Sequence, residues 1–375
     1  MRADSIANEN WQVLVSAFPS GWRELGRSTN AIKHDLKDFN SEDDLLRVLL
    51  LHVGCGYSLR ETAVLAKLGN LAEVSDVAIL KRLRKSEFWL LELCRSLLKE
   101  TGIRMPAIQL GTSVRLVDSS VIKEPGKTGS QWRLHFSLRL PDLVCDSFEI
   151  TSVEGSGTGE TLARYPVEKG DYIIGDRGYS RSQGIDYVHE KKGYVLVRFH
   201  SSCLPLFEEK DVRFDTLKAI SSIQNPLAVM SWPVYVKGEG DRLIAGRLCG
   251  LRKSEEKIAQ AHKRLREKES KSGKKTRPAT FEFAKYVLIF STFPENEFTS
   301  QSLLEYYRLR WQIELLFKRL KTLLEFGHLP KFDPSSARAW LYGKLFLALL
   351  TEKLARISRA FSPWGYFMPE QMEGI

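Results

Sequence analysis

Apolar side chains in the first hundred residues recur at the spacing of amphipathic helices. Residues 41–56 begin with a Ser-x-x-Asp cap signal and end at a glycine, and residues 57–70 form a second helical segment with Ser58 at its start. The stretch 74–100 is amphipathic and long enough for two more helices. The pattern predicts an α-helical N-terminal domain over residues 1–105.

Between residues 106 and 200 the helical period gives way to alternation and short apolar runs. Residues 132–140 alternate apolar and polar side chains, which predicts a half-buried strand, and residues 143–154 follow as its hairpin partner. The predicted order of elements is strand, strand, strand, helix, strand, helix, strand. The apolar runs that predict the other strands are 114–118, 172–174 and 194–199. This alternation of strands and helices predicts the first part of an α/β core over residues 106–200.

Residues 201–283 are predicted to be a β-rich insertion, because two strand-like segments, 226–240 and 242–253, are joined by a Gly-Glu-Gly-Asp turn. A basic arm follows, in which residues 252–277 hold eleven Lys and Arg against four Glu. The arm is either a solvated helix with a mobile loop or a contact to phosphates. A buried strand then returns the chain to the core, whose second part is predicted over 284–375 together with C-terminal helices.

One predicted helix carries an unusual polar stripe. At about 100° per residue, Tyr307, Arg310, Glu314 and Lys321 fall within an arc of roughly 60°, apart from the apolar face. A carboxylate flanked by cations can hold a divalent metal and contact phosphates, which suits chemistry on a nucleic-acid backbone. The alternative is a solvated helix face, because Arg310 and Glu314 are also spaced as an ordinary i,i+4 ion pair.

Two aspartates follow apolar runs upstream of this helix. Asp118 ends the run VRLVD, and Asp176 follows a strand in the segment GDRGYS. A lone Asp after a strand is usually a turn former or a helix cap. Together with Glu314, however, the two aspartates are a candidate metal site, because Mg²⁺ prefers oxygen ligands. Carboxylates so clustered repel one another, so we expect the metal-free site to be partly protonated.

The charge balance favours an anionic partner. The formal net charge of +10 over 375 residues points to nucleic acid or a membrane surface. No apolar run approaches the length of a bilayer span, and the N-terminal segment has no apolar core of a secretory signal. The five cysteines are widely spaced and form no CxxC pair, which predicts neither structural zinc nor disulfides. These observations favour a reducing cytoplasm and no membrane partner.

Residues 58–84 have the pattern of two helices joined by a short turn, as in a helix-turn-helix. The second helix would present a basic set to DNA. A helical hairpin with no DNA contact is the alternative. The four basic residues are Lys81, Arg82, Arg84 and Lys85.

These motifs resemble a known family. The spacing Y-x2-R-x3-E-x6-K, from Tyr307 to Lys321, matches at all four positions the third motif of DDE transposases of the bacterial insertion-sequence-four group. The segments around Asp118 (VDSS) and Asp176 (GDRGYS) resemble the first and second motifs of that group. The resemblance covers roughly residues 110–330.

The resemblance implies an α/β fold with a ribonuclease-H-like catalytic core, interrupted by a mainly β insertion. It also implies a transposase that cuts the ends of its insertion sequence and joins them to target DNA by two-metal phosphoryl transfer. Asp118 would bridge two Mg²⁺ ions, for which Mn²⁺ can substitute, and Asp176 and Glu314 would each complete one ion. Double-stranded DNA would be the partner of a homodimer in the synaptic complex.

The resemblance also assigns DNA contacts. Arg310 and Lys321 would hold phosphates near the cut, and Tyr307 would contact the phosphate of a displaced base. Trp232 is the candidate for an aromatic residue that fills the vacated stack, although a tryptophan in a strand is more often part of the core. Two alternative functions stay open, namely a metal-dependent nuclease with the same core and a non-catalytic DNA-binding remnant of a mobile element.

Overall fold

The chain forms two compact units, each built around its own contacts. The computed structural model describes residues 10–32, 36, 39–100, 114–123, 130–140, 144–310, 314, 329 and 333–360. The first unit takes in residues 1–104, 122–131 and 318–375, and the second takes in residues 105–121 and 132–317. The two units are described separately below.

The first unit contains the helices of residues 10–100 and 334–360, together with the strand residues 122–123 and 130–131. Helices α4 and α5 begin at Ser58 and Ser75, whose hydroxyls accept from the backbone amides of Glu61 and Ala78, and α4 has the full capping box. The helices are α1 (Asn10–Ser16), α2 (Trp22–Ser28), α3 (Glu42–Cys55), α4 (Leu59–Leu68), α5 (Asp76–Lys85), α6 (Glu87–Glu100) and the last of the chain, α12 (Pro334–Ala360). The helices predicted between residues 41 and 100 are therefore all present.

The long helix α12 packs against α3, α5 and α6. Ion pairs fix it there, since Arg338 binds Glu87 and Lys353 binds Glu100. The C-terminal helix thus shares the core of the N-terminal helices, although the sequence pattern placed it with the second part of the catalytic core. The four domain boundaries themselves stay a prediction.

The second unit contains an eight-stranded sheet in its described ranges, with the order β3-β2-β1-β4-β5-β8-β7-β6. Strands β1, β4 and β5 run parallel, and β5 pairs with β8 antiparallel. The strands are β1 (Val114–Lys123), β2 (Ser130–Leu140), β3 (Val144–Ser152), β4 (Tyr172–Gly175), β5 (Tyr194–Arg198), β6 (Val229–Lys237), β7 (Leu243–Arg252) and β8 (Tyr286–Ser291). The predicted hairpin over 132–154 is confirmed as the antiparallel pair β2 and β3.

The central strands are buried because helices and loops cover them. All four residues of β4 are buried, and β5 and β8 contribute Val195, Val197 and Phe290 to one apolar cluster. Continuous apolar runs of this kind are expected for buried parallel strands. The helices of this unit are α7 (Ser182–Glu190), α8 (Thr216–Ser221), α9 (Glu255–Ser272), α10 (Pro278–Ala284) and α11 (Ser300–Leu309).

The segment predicted to be a mainly β insertion differs from that prediction. Its two strands, β6 and β7, do form a hairpin, but β7 pairs with β8 and so extends the same central sheet. The segment also contains α8, α9 and α10, of which α9 is the longest at 18 residues. The Ala, Glu, Lys and Arg residues of α9 are good helix formers, and Ser254 caps its first turn. This segment therefore contains more helical residues than strand residues.

Two expectations from composition can be compared with the structure. All five cysteines carry free thiols. Among the helices in the described ranges, none combines the length and the apolar character that crossing a bilayer requires.

Candidate active site

Polar side chains of three neighbouring parallel strands lie in one row where β4 and β5 end. The register of β1 with β4 pairs Leu116 with Ile174, and the register of β4 with β5 pairs Gly175 with Val197. Extending these registers along the strands places Asp118, Asp176 and Arg198 side by side. The carboxyl ends of parallel strands are the usual place for a site in a sheet of this kind.

Asp118 lies inside a strand rather than at its end. The apolar run predicted a strand that stops at residue 118, but β1 continues to Lys123, past the residues that pair with β4. The neighbour of β1 on its other side is β2, so the strand can continue after β4 has ended. Asp118 therefore faces the space beyond the end of β4.

The Asp118 carboxyl is nearly buried and closely held. Its residue is 9% exposed, and its Oδ1 accepts from the Ser119 amide at 2.8 Å. The hydroxyl of Tyr165 donates to its backbone oxygen at 3.1 Å. The pKa of Asp118 is raised to about 7, chiefly by burial and also by the charges of Asp176 and Glu160, against the opposing effects of the Ser119 hydrogen bond and of Arg310. A raised pKa is the direction expected for a carboxyl that lies close to other carboxylates without a metal.

Asp176 begins the short 3-10 turn Arg177–Tyr179. Its Oδ1 accepts from the Gly178 amide at 2.7 Å, so it has the capping role that a lone Asp commonly has, and the same carboxylate acts on Asp118. Gly178 is needed for the close approach of a further carboxylate, because a Cβ there would lie 1.8 Å from Oε2 of Glu160. The other oxygen of Glu160 accepts from the Ser119 hydroxyl at 2.6 Å. Three carboxylates thus surround this turn.

Arg310 connects Glu314 to this group. Its Nη1 lies 3.7 Å from Oδ2 of Asp118, and its Nη2 lies 2.5 Å from Oε1 of Glu314. The Arg310 side chain is 17% exposed, whereas that of Glu314 is 54% exposed. Tyr307 lies one helical turn earlier, with Arg310 over its ring at 5.7 Å, and burial raises the pKa of its hydroxyl. The predicted stripe is therefore brought to Asp118 through Arg310.

The donor set fits a hard divalent cation, because all of the side chains that could bind one offer carboxylate oxygens. Across the ranges with described coordinates, no three His, Cys, Asp or Glu side chains are already arranged as metal ligands. Arg310 provides the positive charge between Asp118 and Glu314. An exposed i,i+4 pair is weak, so the Glu314 side chain can rotate away from Arg310 toward a cation.

The other predicted residues lie elsewhere. Trp232 on β6 is opposite Leu248 and packs against the apolar cluster of this unit, as a core tryptophan would, and its role in DNA binding stays a prediction. Lys321 lies outside the described residues. In the first unit, Lys81 and Lys85 are exposed on α5, Arg82 lies over Phe39, and Arg84 binds Asp333.

Sequence reasoning missed Glu160, Arg177 and Arg198. Glu160 lies in a glycine-containing loop with no periodicity, so no signal in the sequence pointed to it. Arg198 had a signal, because it is the last residue of an apolar strand that follows the strand of Asp176. Arg177 directly follows Asp176 and could have been included on that ground alone.

Comparison with known proteins identifies similar chains. The family described as Transposase DDE domain matches residues 109–350. The chain is 30% identical over 366 residues to the putative transposase InsL for insertion sequence element IS186A of Escherichia coli (strain K12), covering 96% of this chain and 97% of the relative. It is also 30% identical over 367 residues to the transposase for insertion sequence element IS421 of Escherichia coli, with the same coverage.

Two more distant similarities were found. The transposase for insertion sequence element IS231B of Bacillus thuringiensis subsp. berliner is 23% identical over 288 residues, which cover 69% of this chain and 59% of the relative. Among solved structures, a piggyBac transposase synaptic complex with hairpin DNA matches with a TM-score of 0.46 and 10% identity, covering 93% of this chain and 73% of that chain.

Proposed function

The chain belongs to the DDE transposases, and from this premise we propose that it binds the ends of its own insertion sequence, cleaves them and transfers them to target DNA. The observation that carries the proposal is that Asp118 and Asp176 lie side by side where β4 ends, with Glu314 joined to Asp118 through Arg310. We propose in addition that the sheet of the second unit is a ribonuclease-H-like core.

Asp118, Asp176 and Glu314 would hold two Mg²⁺ ions, with Mn²⁺ as a substitute. When bound, such ions supply Lewis acidity for phosphoryl transfer and neutralise charge on the attacking and leaving oxygens. The residues of the chain would then hold the carboxylates in place and orient the DNA. Tyr165 and the Ser119 amide hold Asp118 in place through their hydrogen bonds.

Arg310 is suited to hold the phosphate next to the cut. Its guanidinium lies between two of the proposed ligands, and its buried Nε has no hydrogen-bond partner within the described ranges. An unused donor in this place can bind a phosphate oxygen, and the planar guanidinium can do so with two parallel hydrogen bonds. Tyr307 beside it offers a hydroxyl, and Lys321 would add a point charge.

The remaining assignments extend the proposal to the rest of the chain. The helical N-terminal domain would recognise the ends through Lys81, Arg82, Arg84 and Lys85, and Trp232 would stack where a base is displaced. Two copies of the chain would pair on double-stranded DNA in the synaptic complex. The protein would act in the bacterial cytoplasm, on the nucleoid.

The proposed function is tested by incubating the protein with the DNA that flanks its own gene, a target plasmid and Mg²⁺, and sequencing the products. We expect cuts at the element ends and joined target products. Cuts without joined products would support the nuclease alternative. DNA binding without cuts would support the non-catalytic remnant.

Arg310→Ala is expected to slow single-turnover cleavage at saturating protein by about 30- to 1,000-fold, equivalent to the 2–4 kcal/mol typical of a lost preorganised donor. Binding measured by gel shift should change much less, because many cations share it. Arg310→Lys should recover only part of the rate, since it cannot make the bidentate contact. The control is Arg308→Ala, which removes an exposed arginine from the same helix. Equal cleavage rates for both alanine variants would show that Arg310 does not contribute to cleavage.

Metal affinity is expected to depend on pH through Asp118, whose pKa is raised to about 7 chiefly by burial. Mn²⁺ needs the ionised carboxylate, so its affinity should rise about tenfold per pH unit below pH 7 and level off above it. Because this folded pKa exceeds the unfolded value of about 3.9, the metal-free protein should lose stability as the pH rises from about 4 to about 7. Calorimetric titration with Mn²⁺ and thermal unfolding measure the two effects. Asp118→Asn should remove both, and an unchanged pH profile in that variant would contradict the assignment.

A further inference from the structure

The basic arm and the end of β5 enclose a cationic cavity beside the candidate active site. A cavity of about 620 Å³ is lined by Arg177, Arg198, Lys253, Arg264 and Lys268. An adjoining cavity of about 420 Å³ shares Arg198, Lys253 and Arg264 and adds Lys257. Both lie wholly within the second unit. Together they form one recess, whose lining includes Arg177, the residue that follows Asp176.

We propose that this recess binds the phosphodiester backbone of the DNA strand that continues from the scissile phosphate. This inference rests on the proposed function for its choice of ligand, and it extends that function to residues that no motif assigned. It favours the phosphate-contact interpretation of the basic arm, because Lys257, Arg264 and Lys268 line the recess while no described carboxylate does.

Helix α9 sorts its charges onto different faces. Lys257, Arg264 and Lys268 are spaced by seven and four residues and lie within an arc of about 40°, and this arc lines the recess. The four glutamates of the helix lie outside the recess, and no described carboxylate lines either cavity. Lys263 and Arg266 point to the other sides of the helix. The face of α9 that lines the recess therefore carries cations and no carboxylate, which suits the binding of a polyanion.

The cations of the recess lack protein counterions. Within the described ranges, none of the five lining cations of the larger cavity lies within 4 Å of a carboxylate oxygen, although Lys253 donates to the Ala284 backbone oxygen. Burial and, after it, the charges of Arg198, Arg177 and Arg264 together lower the pKa of Lys253 to about 8. Mutual repulsion of this kind costs stability unless an external anion is bound.

The recess continues into the active site. Arg198 is level with Asp176 in the sheet, and its guanidinium is close enough to Tyr307 and Arg310 for their charges to act on its pKa. A strand whose phosphate lies at Arg310 can thus pass Arg198 and enter the recess. The position of Arg198 in both cavities and beside the active site favours a strand of DNA over a free phosphate or pyrophosphate.

The test compares two double variants of α9 that remove the same charges. Arg264→Gln with Lys268→Gln changes the inward face, and Arg266→Gln with Lys263→Gln changes the outward faces. All four side chains are exposed, and none forms an ion pair among the described residues, so both proteins should fold. Affinity for end DNA is measured without divalent metal over a range of salt concentrations. Pyrophosphate binding is measured by calorimetry on the same proteins.

The inward variant should lose about tenfold or more in affinity at 0.1 M salt, and its salt slope should fall by about two, whereas the outward variant should lose about twofold or less. In wild type, a methylphosphonate placed at single positions beside the cut should weaken binding at the positions that enter the recess. The inward variant should be insensitive at those same positions.

Three outcomes would overturn the proposal. Equal losses in both variants would mean that the cations act only as diffuse charge. Loss of pyrophosphate binding with unchanged DNA affinity would make the recess a small-anion site. Unchanged affinity in the inward variant while wild type still cuts DNA would remove the recess and leave the proposed function intact. If DNA binding depended on the recess but no cleavage occurred, the proposed function would be wrong, whereas the proposal that the recess binds DNA would be retained.

Discussion

Asp118→Asn, Asp176→Asn and Glu314→Gln are each expected to lower the rate of DNA cleavage by about a hundredfold to a thousandfold. Binding of the element ends should be retained. Each substitution keeps the shape of the side chain and removes one ligand charge. Asp118 has the strongest claim, because it is nearly buried and has both Arg310 and the carboxylate of Glu160 near it. The measurement is single-turnover cleavage of end DNA with Mg²⁺, beside a gel-shift affinity.

Two matched controls separate charge loss at the site from charge loss in general. Asp241→Asn changes an exposed carboxylate on the β6–β7 turn, and Glu305→Gln changes an exposed carboxylate on the helix that leads to Glu314. Both controls should cleave like wild type. Wild-type cleavage in any one of the three site variants would remove that residue from the metal site, and thermal unfolding of each variant shows whether its fold is retained.

The largest stability effect is expected at Arg115, three residues before Asp118 on β1. Its side chain is 1% exposed, and its Nε and Nη1 lie 2.8 Å and 3.0 Å from the carboxylates of Asp146 and Asp171. Arg115→Met would leave two carboxylates with little solvent and without their main partner. We expect the free energy of unfolding to fall by about 3–5 kcal/mol, as when one member of a buried ion pair is removed.

The loss of unfolding free energy in Arg115→Met is expected to depend on pH. Burial would raise the pKa of Asp146, but Arg115 and hydrogen bonds from Ser137 and Arg139 outweigh it and lower the pKa. A lowered folded pKa contributes stability above the unfolded value of about 3.9, and the contribution is lost as the pH falls through the folded pKa. The gap between wild type and Arg115→Met in urea unfolding should therefore be full at pH 7 and shrink in acid. Arg139→Gln, at a more exposed side chain, should cost far less; an equal cost would contradict the role of burial.

The strands that carry the candidate site could be predicted because a strand buried on both faces is an uninterrupted apolar run in the sequence. The run Tyr172–Gly175 is apolar without interruption and ends at Asp176, which is the pattern of a parallel strand covered on both faces. The helix stripe was visible for a similar reason, since side chains three, four and seven apart share a face. Local periodicity therefore led to Asp118, Asp176, Arg310 and Glu314.

What could not be predicted depends on contacts between distant residues. Glu160 reaches Ser119 from a loop forty-one positions away, and no period marks such a contact. The pairing of β7 with β8 and the packing of α12 on α6 are likewise decided by three-dimensional complementarity. For α9 the helix was predictable from its charges, but the direction of Arg264 was not, because a charged face looks the same in sequence whether it meets water or a recess.

The antiparallel pairing of β5 with β8 has an evolutionary consequence. Strand β5 ends at Arg198, and β8, which follows the intervening segment, pairs directly beside it with Arg198 opposite Ile289. The sheet itself therefore holds the two ends of the intervening segment together. Each doubling in length of a loop closed in this way costs only about 0.6 kcal/mol. Its strands add to the sheet at the far edge, where β6 lies. The segment can therefore be lengthened, shortened or exchanged among descendants while the carboxylate row keeps its geometry, which makes it the natural place for lineages to diverge.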